Sequence, residues 1–518
     1  MSPSMDREPM TVLPEDEYNK TLVKNVHPPD WANPVPARRY NLVVVGAGTA
    51  GLVTAAIGAA LGAKVALIER SLMGGDCLNV GCVPSKAVIR ASRAWAQVRH
   101  AGEFGVGVPS GVKYDFAEAM ARMRRLRARI SAMDSAHRYQ KMGVDVFIGD
   151  GQFTGPDRVE VEGKVLRFSR AVICTGGRAS VPSIPGLMEV DYHTHETLFS
   201  LTQLPRRMAV IGAGPIGCEM AQAFARFGSQ VCVFEQAGRA LPREDADAAE
   251  ILQERMKREG VHFIFKCQIT RVEARGSEKI LRYGANGVEK EHTVDEILVG
   301  TGRTPNVEGL GLEKAGVEHD LKMGVRVNPR LQTTHPRIFA AGDVCFPFKF
   351  THMADALAQI VIQNALFPHP FGLGYASTES LIIPWCTYTD PEIAHVGLYE
   401  AEAGDKGMEV ETYTFNLDEV DRAILDGEEE GFARVHVKKG TDKVLGATLV
   451  AAHAGEMITE LTLAIRSGLG LSTLVKTIHP YPTQAEVIKK VATAWRKSTL
   501  TEAHKKILTR WFAWSRRS

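Results

Sequence analysis

The amino-acid sequence predicts an α/β protein of several domains, because one strand–turn–helix unit occurs twice and a different pattern follows it. The first copy begins at Tyr40 and the second at Arg207, and each opens with an apolar run that ends in Gly-Ala-Gly. From about residue 376 the pattern changes to strands followed by helices, which is typical of a separate α+β domain. A chain of 518 residues is also too long for one hydrophobic core.

The composition is that of an ordinary globular protein. Apolar residues make up 45% of the chain and charged residues 24%, which is enough to build a core in each domain. The net charge of +2 is too small to gather nucleic acid, so no nucleic-acid partner is expected. Neither a signal-peptide core nor a run of roughly 20 apolar residues is visible, so a cytoplasmic location is expected.

Residues 1–39 differ from the rest of the chain. They contain many prolines and no helical or strand periodicity. Such a segment is typical of an extension that lies along the surface or stays disordered, and no chemistry is assigned to it.

The first unit has the features of a dinucleotide site. Gly46, Gly48 and Gly51 form GxGxxG between an apolar strand and a helix, and Glu69 ends the next strand. Glycines permit the tight turn and the close approach of a pyrophosphate, while the helix N-terminus supplies N–H groups and partial positive charge. Glu69 is expected to accept hydrogen bonds from a ribose. A lone GxGxxG is a weak signal, and the strand, helix and acid make it specific.

The second unit repeats this design. It combines a strand over 208–211, the glycines Gly212, Gly214 and Gly217, a helix over 218–227, and Glu235 at the end of the next strand. A duplicated structural turn would not account for an acid at the same spacing in both copies. Two dinucleotides are therefore expected.

Cys77 and Cys82 stand apart from the other cysteines. They lie in GGDCLNVGCVPSK, where Pro84 suits a first helical turn and Lys86 follows closely. A helix N-terminus and a nearby ammonium group favour the thiolate, which makes such a cysteine a nucleophile. The alternative, half of a zinc site, needs a second ligand pair of suitable spacing, and none is visible. We predict a redox pair and no structural metal site, with most of the other cysteines buried: Cys174, Cys218, Cys232, Cys267, Cys345 and Cys386.

Two dinucleotide fingerprints with CxxxxC between them resemble the flavoprotein disulfide reductase family, which includes glutathione reductase, dihydrolipoyl dehydrogenase and mercuric reductase. The resemblance covers roughly residues 40–495. Further motifs fall in the family's order: CTGG at 174–177, GRTPN at 302–306, AGDV at 341–344 and YTDPEIAHVG at 388–397. The first of these has cysteine where the family has alanine.

The resemblance implies FAD at the first fingerprint and a nicotinamide cofactor at the second. It implies that hydride passes to the flavin and then to the disulfide, with Cys82 against the flavin and Cys77 exchanging with substrate. Lys86 and Glu219 match the family's ion pair beside flavin and nicotinamide. The remaining cofactor-binding positions that we infer are Thr175, Gly176, Gly302, Arg303, Gly342 and Asp343.

Glu235 favours NADH over NADPH. A carboxylate at this position hydrogen-bonds a 2′-hydroxyl and repels a 2′-phosphate. Arg239 and Arg243 follow closely in the sequence and could weaken the preference for NADH.

The chain departs from dihydrolipoyl dehydrogenase near the C-terminus. In IHPYPTQAEV, Tyr481 stands where that enzyme has a histidine base, while His479 and Glu486 keep their places. Tyrosine is a poor base because its pKa is about 10. Mercuric reductase resembles the chain at this point, although the vicinal cysteines of its tail and its N-terminal CxxC domain have no counterpart here. His479 could replace the base, but a histidine satisfied by the backbone is the favoured interpretation.

The acceptor hypotheses follow from Tyr481. A soft metal ion such as Hg(II) comes first, because reducing a metal needs less proton transfer than cleaving a disulfide. A small or protein disulfide, including lipoamide, comes second. A flavin-binding redox sensor with little turnover is the rival from another class.

The predicted architecture is two Rossmann-like domains and a C-terminal interface domain in a homodimer. The resemblance implies that Tyr481 and Glu486 reach the partner's active site. We expect the last segment to be a basic helix that packs on its own protein, with membrane contact the less favoured alternative. The expected segments are an N-terminal extension (1–39), an FAD domain (40–190 and 303–375), a nicotinamide domain (191–302), an interface domain (376–495) and the tail (496–518).

Overall fold

The computed structural model describes residues 10–285 and 287–516 and shows two compact units. The first unit contains residues up to 238 together with 259–381, and the second contains 239–258 together with residues from 382 onward. Segment 239–258 is therefore grouped with the C-terminal unit, although the sequence places it within the second dinucleotide domain. The domain boundaries given above stay predictions.

The described residues form helices and strands throughout both units. The helices are α1 (Glu17–Val26), α2 (Thr49–Ala60), α3 (Gly75–Asn79), α4 (Cys82–Arg99), α5 (Phe116–Ser131), α6 (Ala136–Lys141), α7 (Pro215–Phe227), α8 (Ala246–Arg258), α9 (Thr351–Leu366), α10 (Glu400–Asp405), α11 (Asp421–Asp426), α12 (Ala454–Arg466), α13 (Leu471–Leu474), α14 (Glu486–Ser498) and α15 (Glu502–Ser515). The strands are β1 (Tyr40–Val45), β2 (Val65–Glu69), β3 (Asp145–Ile148), β4 (Gly151–Gly155), β5 (Arg158–Val161), β6 (Lys164–Ile173), β7 (Gly177–Ala179), β8 (Arg207–Ile211), β9 (Gln230–Phe234), β10 (His262–Ile264), β11 (Cys267–Arg275), β12 (Glu278–Ala285), β13 (Val288–Val294), β14 (Glu296–Val299), β15 (Arg303–Pro305), β16 (His319–Asp320), β17 (Gly324–Val325), β18 (Ile338–Ala340), β19 (Pro384–Thr387), β20 (Glu392–Gly397), β21 (Val410–Asn416), β22 (Phe432–Lys438) and β23 (Val444–Ala451).

The first unit contains both predicted strand–turn–helix copies. One sheet has a parallel part of order β3-β2-β1-β6, with β18 also paired to β6, and continues into the antiparallel strands β5 and β4. Helices α2 and α9 pack together against its parallel part. A second parallel sheet has the order β10-β9-β8-β14, and α7 packs against β8 and β9. Strands of this kind are buried on both faces, which is why they appear in the sequence as continuous apolar runs.

The second unit confirms the predicted α+β region. Its antiparallel sheet has the order β19-β20-β23-β22-β21. Helix α12 packs on β20 and β23, and α14 packs on β21 and β22. Apolar side chains from the sheet and both helices form one buried cluster.

The expectation of no regular structure in residues 1–39 is wrong for part of the segment. Helix α1 begins after Asp16, whose side chain accepts a hydrogen bond from the N–H of Asn19. It packs against α5, and Leu22 and Val26 are fully buried. The helix is short and its apolar stripe narrow, so tertiary packing rather than periodicity stabilises it. Residues 1–9 lie outside the described part of the chain.

The sequence of residues 115–142 by itself predicts one long helix with many arginines on its polar side, and this prediction is wrong. Helix α5 ends at Ser131, and α6 follows after a 3₁₀ turn. Two arginines of α5, Arg124 and Arg127, are buried rather than on a polar face. Partners from α1, which sequence spacing could not reveal, lie beside them.

The C-terminal helix does not pack on its own chain as expected. No residue of α15 is buried, and Trp511 and Trp514 are 57% and 63% exposed. Across residues 10–285 and 287–516, no helix is long and apolar enough to cross a bilayer.

Candidate active site

The two central cysteines lie on consecutive helices of the first unit. Cys77 is inside α3, and Cys82 is the first residue of α4, as the sequence predicts. Both are free thiols, with Cys82 exposed and Cys77 half-buried. The Cys82 Sγ also lies 3.3 Å from the Oγ1 of Thr351 at the start of α9, a contact the sequence did not predict.

The pair divides into a thiolate and a proton donor. The hydrogen bond from Cys77, aided by Thr351 and the charge of Lys86, lowers the pKa of Cys82 to about 6, although burial opposes this. The same hydrogen bond, together with burial, raises the pKa of Cys77. At neutral pH Cys82 is therefore the thiolate and Cys77 the neutral thiol that donates to it.

Lys86 and Glu219 meet as the resemblance implies. The Lys86 Nζ lies 2.9 Å from the Glu219 Oε2, although the residues are 133 positions apart. Packing of α4 against α7 brings them together. Glu219 is only 6% exposed, and a buried carboxylate needs such a partner.

The first fingerprint fits a dinucleotide. Gly46 has a φ of +102°, and a Cβ there would lie 2.4 Å from the carbonyl oxygen of Cys174. A Cβ on Gly51 would lie 1.8 Å from the carbonyl oxygen of Gly46. Gly48 is different, because the nearest atom to its Cβ would be 3.8 Å away, on Gly75. Packing within the protein requires the outer glycines but not the middle one.

The second fingerprint repeats this arrangement. Gly212 has a φ of +100°, and a Cβ on Gly217 would lie 2.0 Å from the carbonyl oxygen of Gly212. A Cβ on Gly214 would meet no described atom within 4 Å. The space before the N-terminus of α7 is therefore open, which is the arrangement expected where a middle glycine lies beside a pyrophosphate.

Glu69 and Glu235 hold the two glycine turns in the same way. The Oε2 of Glu69 accepts from the N–H of Ala47 at 2.7 Å, and its Oε1 accepts from Ser71 at 2.8 Å. The Oε2 of Glu235 accepts from Ala213 at 2.7 Å, and its Oε1 from Ala237 at 2.8 Å. Each carboxylate oxygen keeps a lone pair for a ribose hydroxyl. The sequence predicted the acids but not these backbone bonds.

Hydrogen bonds connect the CTGG segment to the GRTPN segment. The Thr175 hydroxyl donates to the carbonyl of Asn306 at 2.7 Å, and the Asn306 amide donates back to the carbonyl of Thr175 at 3.0 Å. The N–H of Asn306 also donates to the carbonyl of Gly176. Gly302 begins the same segment and accepts from the N–H of Ser180.

The sequence missed a charged cluster beside Cys77. Arg303 lies 3.1 Å from Asp343 through its Nε and donates to Asp76 through Nη2. His195 completes the cluster, with its Nε2 at 3.3 Å from Asp76. Burial alone would raise the pKa of Asp76, but His195 and Arg303 hold it below its ordinary value. Gly342 adjoins Asp343 and lies beside Ala50 of α2, so the cluster borders the first fingerprint.

The predicted site residues near the C-terminus differ in exposure and in their hydrogen-bond partners. Tyr481 is 69% exposed, and its hydroxyl donates to Asp421 at 2.8 Å, which raises the pKa of the tyrosine. The His479 side chain is 6% exposed, with Nε2 at 3.1 Å from Glu460 and Nδ1 at 3.3 Å from the carbonyl of Thr477. Glu486 is the first residue of α14. His479 is therefore held by the Glu460 carboxylate and one backbone carbonyl rather than by the backbone alone, and sequence spacing gave no sign of Glu460.

The remaining cysteines do not form a metal site with their neighbours. Cys174, Cys218, Cys232 and Cys267 are buried, while Cys345 and Cys386 are half-buried. Within the described ranges no group of three or more histidine, cysteine, aspartate and glutamate side chains is arranged to hold a metal ion.

Two dinucleotide-binding units and a thiol–thiolate pair define a flavin-dependent oxidoreductase, and comparison with known proteins gives the family. Residues 40–360 match the family model for pyridine nucleotide-disulphide oxidoreductases, and residues 383–492 match the dimerisation domain of the same family. The chain belongs to the pyridine nucleotide-disulphide oxidoreductase family. It is thus an oxidoreductase of a family that depends on FAD and uses pyridine nucleotides, and its dimerisation domain supports a homodimer.

Its relatives include two kinds of enzyme. The chain is 34% identical to a mercuric reductase of Staphylococcus aureus, with 88% of this chain and 83% of the relative aligned. It is 32% identical to a dihydrolipoyl dehydrogenase of Geobacillus stearothermophilus, with 87% and 95% aligned. Among solved structures, the HOCl-induced flavoprotein disulfide reductase RclA of Escherichia coli, in a Cu(II) complex, has a TM-score of 0.78 at 28% identity, with 87% and 99% covered. LpdA of Mycobacterium tuberculosis has a TM-score of 0.78 at 26% identity, with 88% and 99% covered.

We predict that the Cys77→Ala substitution raises the pKa of Cys82 from about 6 toward that of an ordinary thiol, because it removes the hydrogen bond that most favours the thiolate. At pH 7 the thiolate fraction at Cys82 should fall from about 90% to a few per cent. The ultraviolet thiolate absorbance of the reduced protein, titrated from pH 4 to 10, measures this. Cys82→Ser is the control and should remove the transition near pH 6. An unchanged transition in Cys77→Ala would contradict the prediction.

Gly214→Ala and Gly217→Ala should separate nucleotide binding from folding. The Gly214 substitution should leave the melting temperature unchanged, because its Cβ meets nothing within 4 Å. It should weaken NADH binding, because the added methyl group would occupy the space expected for the pyrophosphate. The Gly217 substitution should lower the melting temperature, because its Cβ would lie 2.0 Å from the carbonyl oxygen of Gly212. Calorimetry and an NADH titration measure the two effects. Full NADH affinity in Gly214→Ala would show that no pyrophosphate approaches this turn.

Proposed function

We propose that this protein reduces a soft metal ion such as Hg(II) with electrons from NADH, through the redox pair Cys77 and Cys82. The observation that carries this proposal is Tyr481, which stands where a thiol-exchanging relative has its histidine base. The mercuric reductase relatives and the Cu(II) complex of RclA add support for a metal acceptor.

Proton balance explains why the tyrosine favours a metal. NADH gives up two electrons and one proton, and reducing Hg(II) to Hg(0) consumes both electrons and no proton. Reducing a disulfide to two thiols consumes two protons, so a general acid and base near the sulfur atoms accelerate it. Tyr481 donates to Asp421, and its pKa is raised above an already high value, so it is poorly suited to that exchange.

The cysteines are assigned by their protonation states. The exposed thiolate of Cys82 is suited to stacking beside a flavin, and the neutral Cys77 to meeting the acceptor once its proton leaves. Two cysteine thiolates are soft ligands that match a soft metal ion. FAD bound at the first fingerprint would supply the hydride transfer between NADH and the disulfide. Lys86 and Glu219 would orient the nicotinamide and flavin portions through their ion pair, which spans α4 and α7.

The cofactor residues keep their predicted assignments. Glycines at the two turns would let the pyrophosphates approach, and Glu69 and Glu235 would accept hydrogen bonds from the ribose hydroxyls. Arg303 and Asp343 would lie at the edge of the FAD site. The Thr175–Asn306 bonds would hold the CTGG segment, including Gly176, beside the GRTPN segment that begins at Gly302. These assignments rest on the family resemblance together with the observed geometry.

NADH is the proposed reductant because Arg239 is already engaged. Its guanidinium donates to the carbonyls of Leu241 at 2.9 Å, Pro242 at 3.0 Å and Glu244 at 2.7 Å. A guanidinium with these partners would have to break several hydrogen bonds to bind a 2′-phosphate. The carboxylate of Glu235 then favours NADH.

The homodimer completes the proposed site. Tyr481 and Glu486 of one subunit would serve the thiols of the other, while His479 stays with Glu460 as a structural residue. A cytoplasmic location belongs to the proposal, because that compartment keeps thiols reduced. A disulfide substrate such as lipoamide is the second candidate, and the dihydrolipoyl dehydrogenase relatives favour it.

The acceptor is tested by anaerobic NADH oxidation with Hg²⁺ in excess thiol, in parallel with lipoamide and glutathione disulfide. We expect mercury-dependent turnover that Cys82→Ala lowers by at least about a hundredfold, because the thiolate is lost. Cys386→Ala is the matched control, since this half-buried cysteine lies in the second unit, and it should keep wild-type turnover.

Tyr481→His makes the same experiment sharper. Restoring a histidine should raise lipoamide turnover about a hundred- to ten-thousandfold, the range of general acid–base catalysis. Rapid lipoamide reduction by the wild type without a response to mercury would reverse the order of the two candidates. Failure of every acceptor to accelerate NADH oxidation would leave the redox-sensor hypothesis.

Glu235→Gln should lower the preference for NADH over NADPH by about tenfold, because it removes the charge that repels a 2′-phosphate and keeps an acceptor oxygen. The ratio of kcat/KM for the two nucleotides measures the change. Glu69→Gln is the control, since Glu69 holds the first turn with the same pair of backbone bonds. An equal ratio in wild type and Glu235→Gln would exclude this carboxylate as the determinant.

A further inference from the structure

We infer that the N-terminal segment 12–27 is a clamp that positions the redox pair, with Asn19 and Arg127 as its positioning residues. This segment precedes the part of the chain that matches the family model, which begins at residue 40. The inference rests on the proposed redox role of Cys77 and Cys82 and adds a determinant of their behaviour.

The clamp reaches the helix between the cysteines. Arg127 donates through one guanidinium nitrogen to the carbonyl of Asn79 at 2.5 Å and through another to the Oδ1 of Asn19 at 2.7 Å. Asn79 is the last residue of α3, so its carbonyl has no partner within that helix. The Asn79 side chain donates to the carbonyl of Gly75 at 2.8 Å, inside the same loop. Arg127 is therefore a bridge from α1 to the backbone two residues after Cys77.

Two more bonds tie the segment to the strand-to-helix loop. The N–H of Met73 donates to the carbonyl of Val26 at 3.1 Å. The Nδ1 of His27 lies 2.5 Å from the carbonyl oxygen of Ser71. The loop is thus held by the segment at its beginning and, through Arg127, at its end.

The buried charges indicate that the contact is more than packing. Arg124 and Arg127 lie one turn apart on α5, 7% and 3% exposed, and Asp16 meets the Nε of Arg124 at 2.5 Å. Burial and the neighbouring Arg124 lower the pKa of Arg127 to about 10. A buried cation with a carbonyl and an amide as its partners is poor evidence for stability, and apolar side chains would pack at lower cost. Holding one carbonyl in a fixed direction is what a rigid guanidinium does well.

The test compares two asparagines on α1. Asn19→Ala removes the acceptor from Arg127, whereas Asn25→Ala removes a 2.9 Å bond to Ser131 on α5 that leads away from the cysteines. We expect Asn19→Ala to change the dithiol–disulfide equilibrium constant of the Cys77/Cys82 pair by about three- to tenfold in a thiol redox buffer, and Asn25→Ala to leave it unchanged. Asn19→Asp keeps an oxygen acceptor and should restore the wild-type constant.

The outcomes are distinct. If Asn19→Ala and Asn25→Ala lower the melting temperature alike and neither moves the redox equilibrium, the segment only stabilises the fold and the inference is overturned. If Asn19→Ala does not fold, Arg127→Lys replaces it, because this variant keeps the charge and loses the forked guanidinium. Its dithiol–disulfide equilibrium constant then decides between the two outcomes in the same way. If the wild type forms no reversible disulfide, the proposed function fails rather than the clamp.

A second surface carries an independent proposal. Helix α15 presents Ile507, Leu508, Trp511 and Trp514 on one face, and each of these side chains is at least 41% exposed. Lys506 and Arg510 lie along one edge of that face, Phe512 and then Lys505 lie along the other, and Arg516 follows the last turn. Glu502 is the acid of the helix.

We propose that α15 lies in the interface of an anionic bilayer. Tryptophan rings favour the headgroup level, and each basic side chain near an anionic surface adds to the electrostatic attraction. The basic edges are the charge complement of such a surface, and the apolar face is the part that would enter it. A second copy of the chain is the competing occupant.

Vesicle co-sedimentation of the full chain tests this proposal. We expect binding to phosphatidylglycerol vesicles, at least about tenfold weaker binding to phosphatidylcholine, and loss of binding in Trp511→Ser/Trp514→Ser. Phe371→Ser is the control, because Phe371 is fully exposed elsewhere on the chain. No wild-type binding, or a double variant that instead converts dimer to monomer, would overturn the proposal.

Discussion

The close approach of a helix to the strand before it is the constraint from which the nucleotide sites arise. At Gly51 and Gly217 a single methyl group would lie within 2.0 Å of a carbonyl oxygen, so these turns tolerate no side chain. The approach places each helix N-terminus over open space beside the middle glycine. In each strand–turn–helix unit, the acid at the end of the next strand then accepts a hydrogen bond from the turn.

The redox pair depends on the same parallel sheet in a less direct way. The chain leaves β2, turns through α3 and enters α4, so Cys77 and Cys82 lie where the first nucleotide unit ends. Their chemistry comes from one hydrogen bond that gives the negative charge to Cys82 and the proton to Cys77. The start of α9 adds Thr351, and α7 adds Glu219 as partner to Lys86. Elements far apart in sequence thus control the charge at two neighbouring thiols.

Helix α5 connects this centre to the N-terminal segment. Its buried arginines need partners, and α1 supplies Asp16 and Asn19. Helix α1 buries Leu22 and covers those charges, and the loop that carries Cys77 is held by the same contacts. One short segment therefore contributes to packing, to charge neutralisation and to the direction of one carbonyl beside the reactive thiols.

The sequence by itself determined the two nucleotide units, the thiol pair and the α+β region, because each depends on local spacing of glycines, apolar strands and cysteines. The Lys86–Glu219 pair was available only through resemblance, since nothing local links positions 133 residues apart. Tertiary structure alone decided that Arg127 is buried, that Asp76 joins Arg303 and His195, and that Glu460 engages His479. Charged side chains near each other in space leave no periodic trace in the chain, and their burial depends on partners that only folding brings within hydrogen-bonding distance.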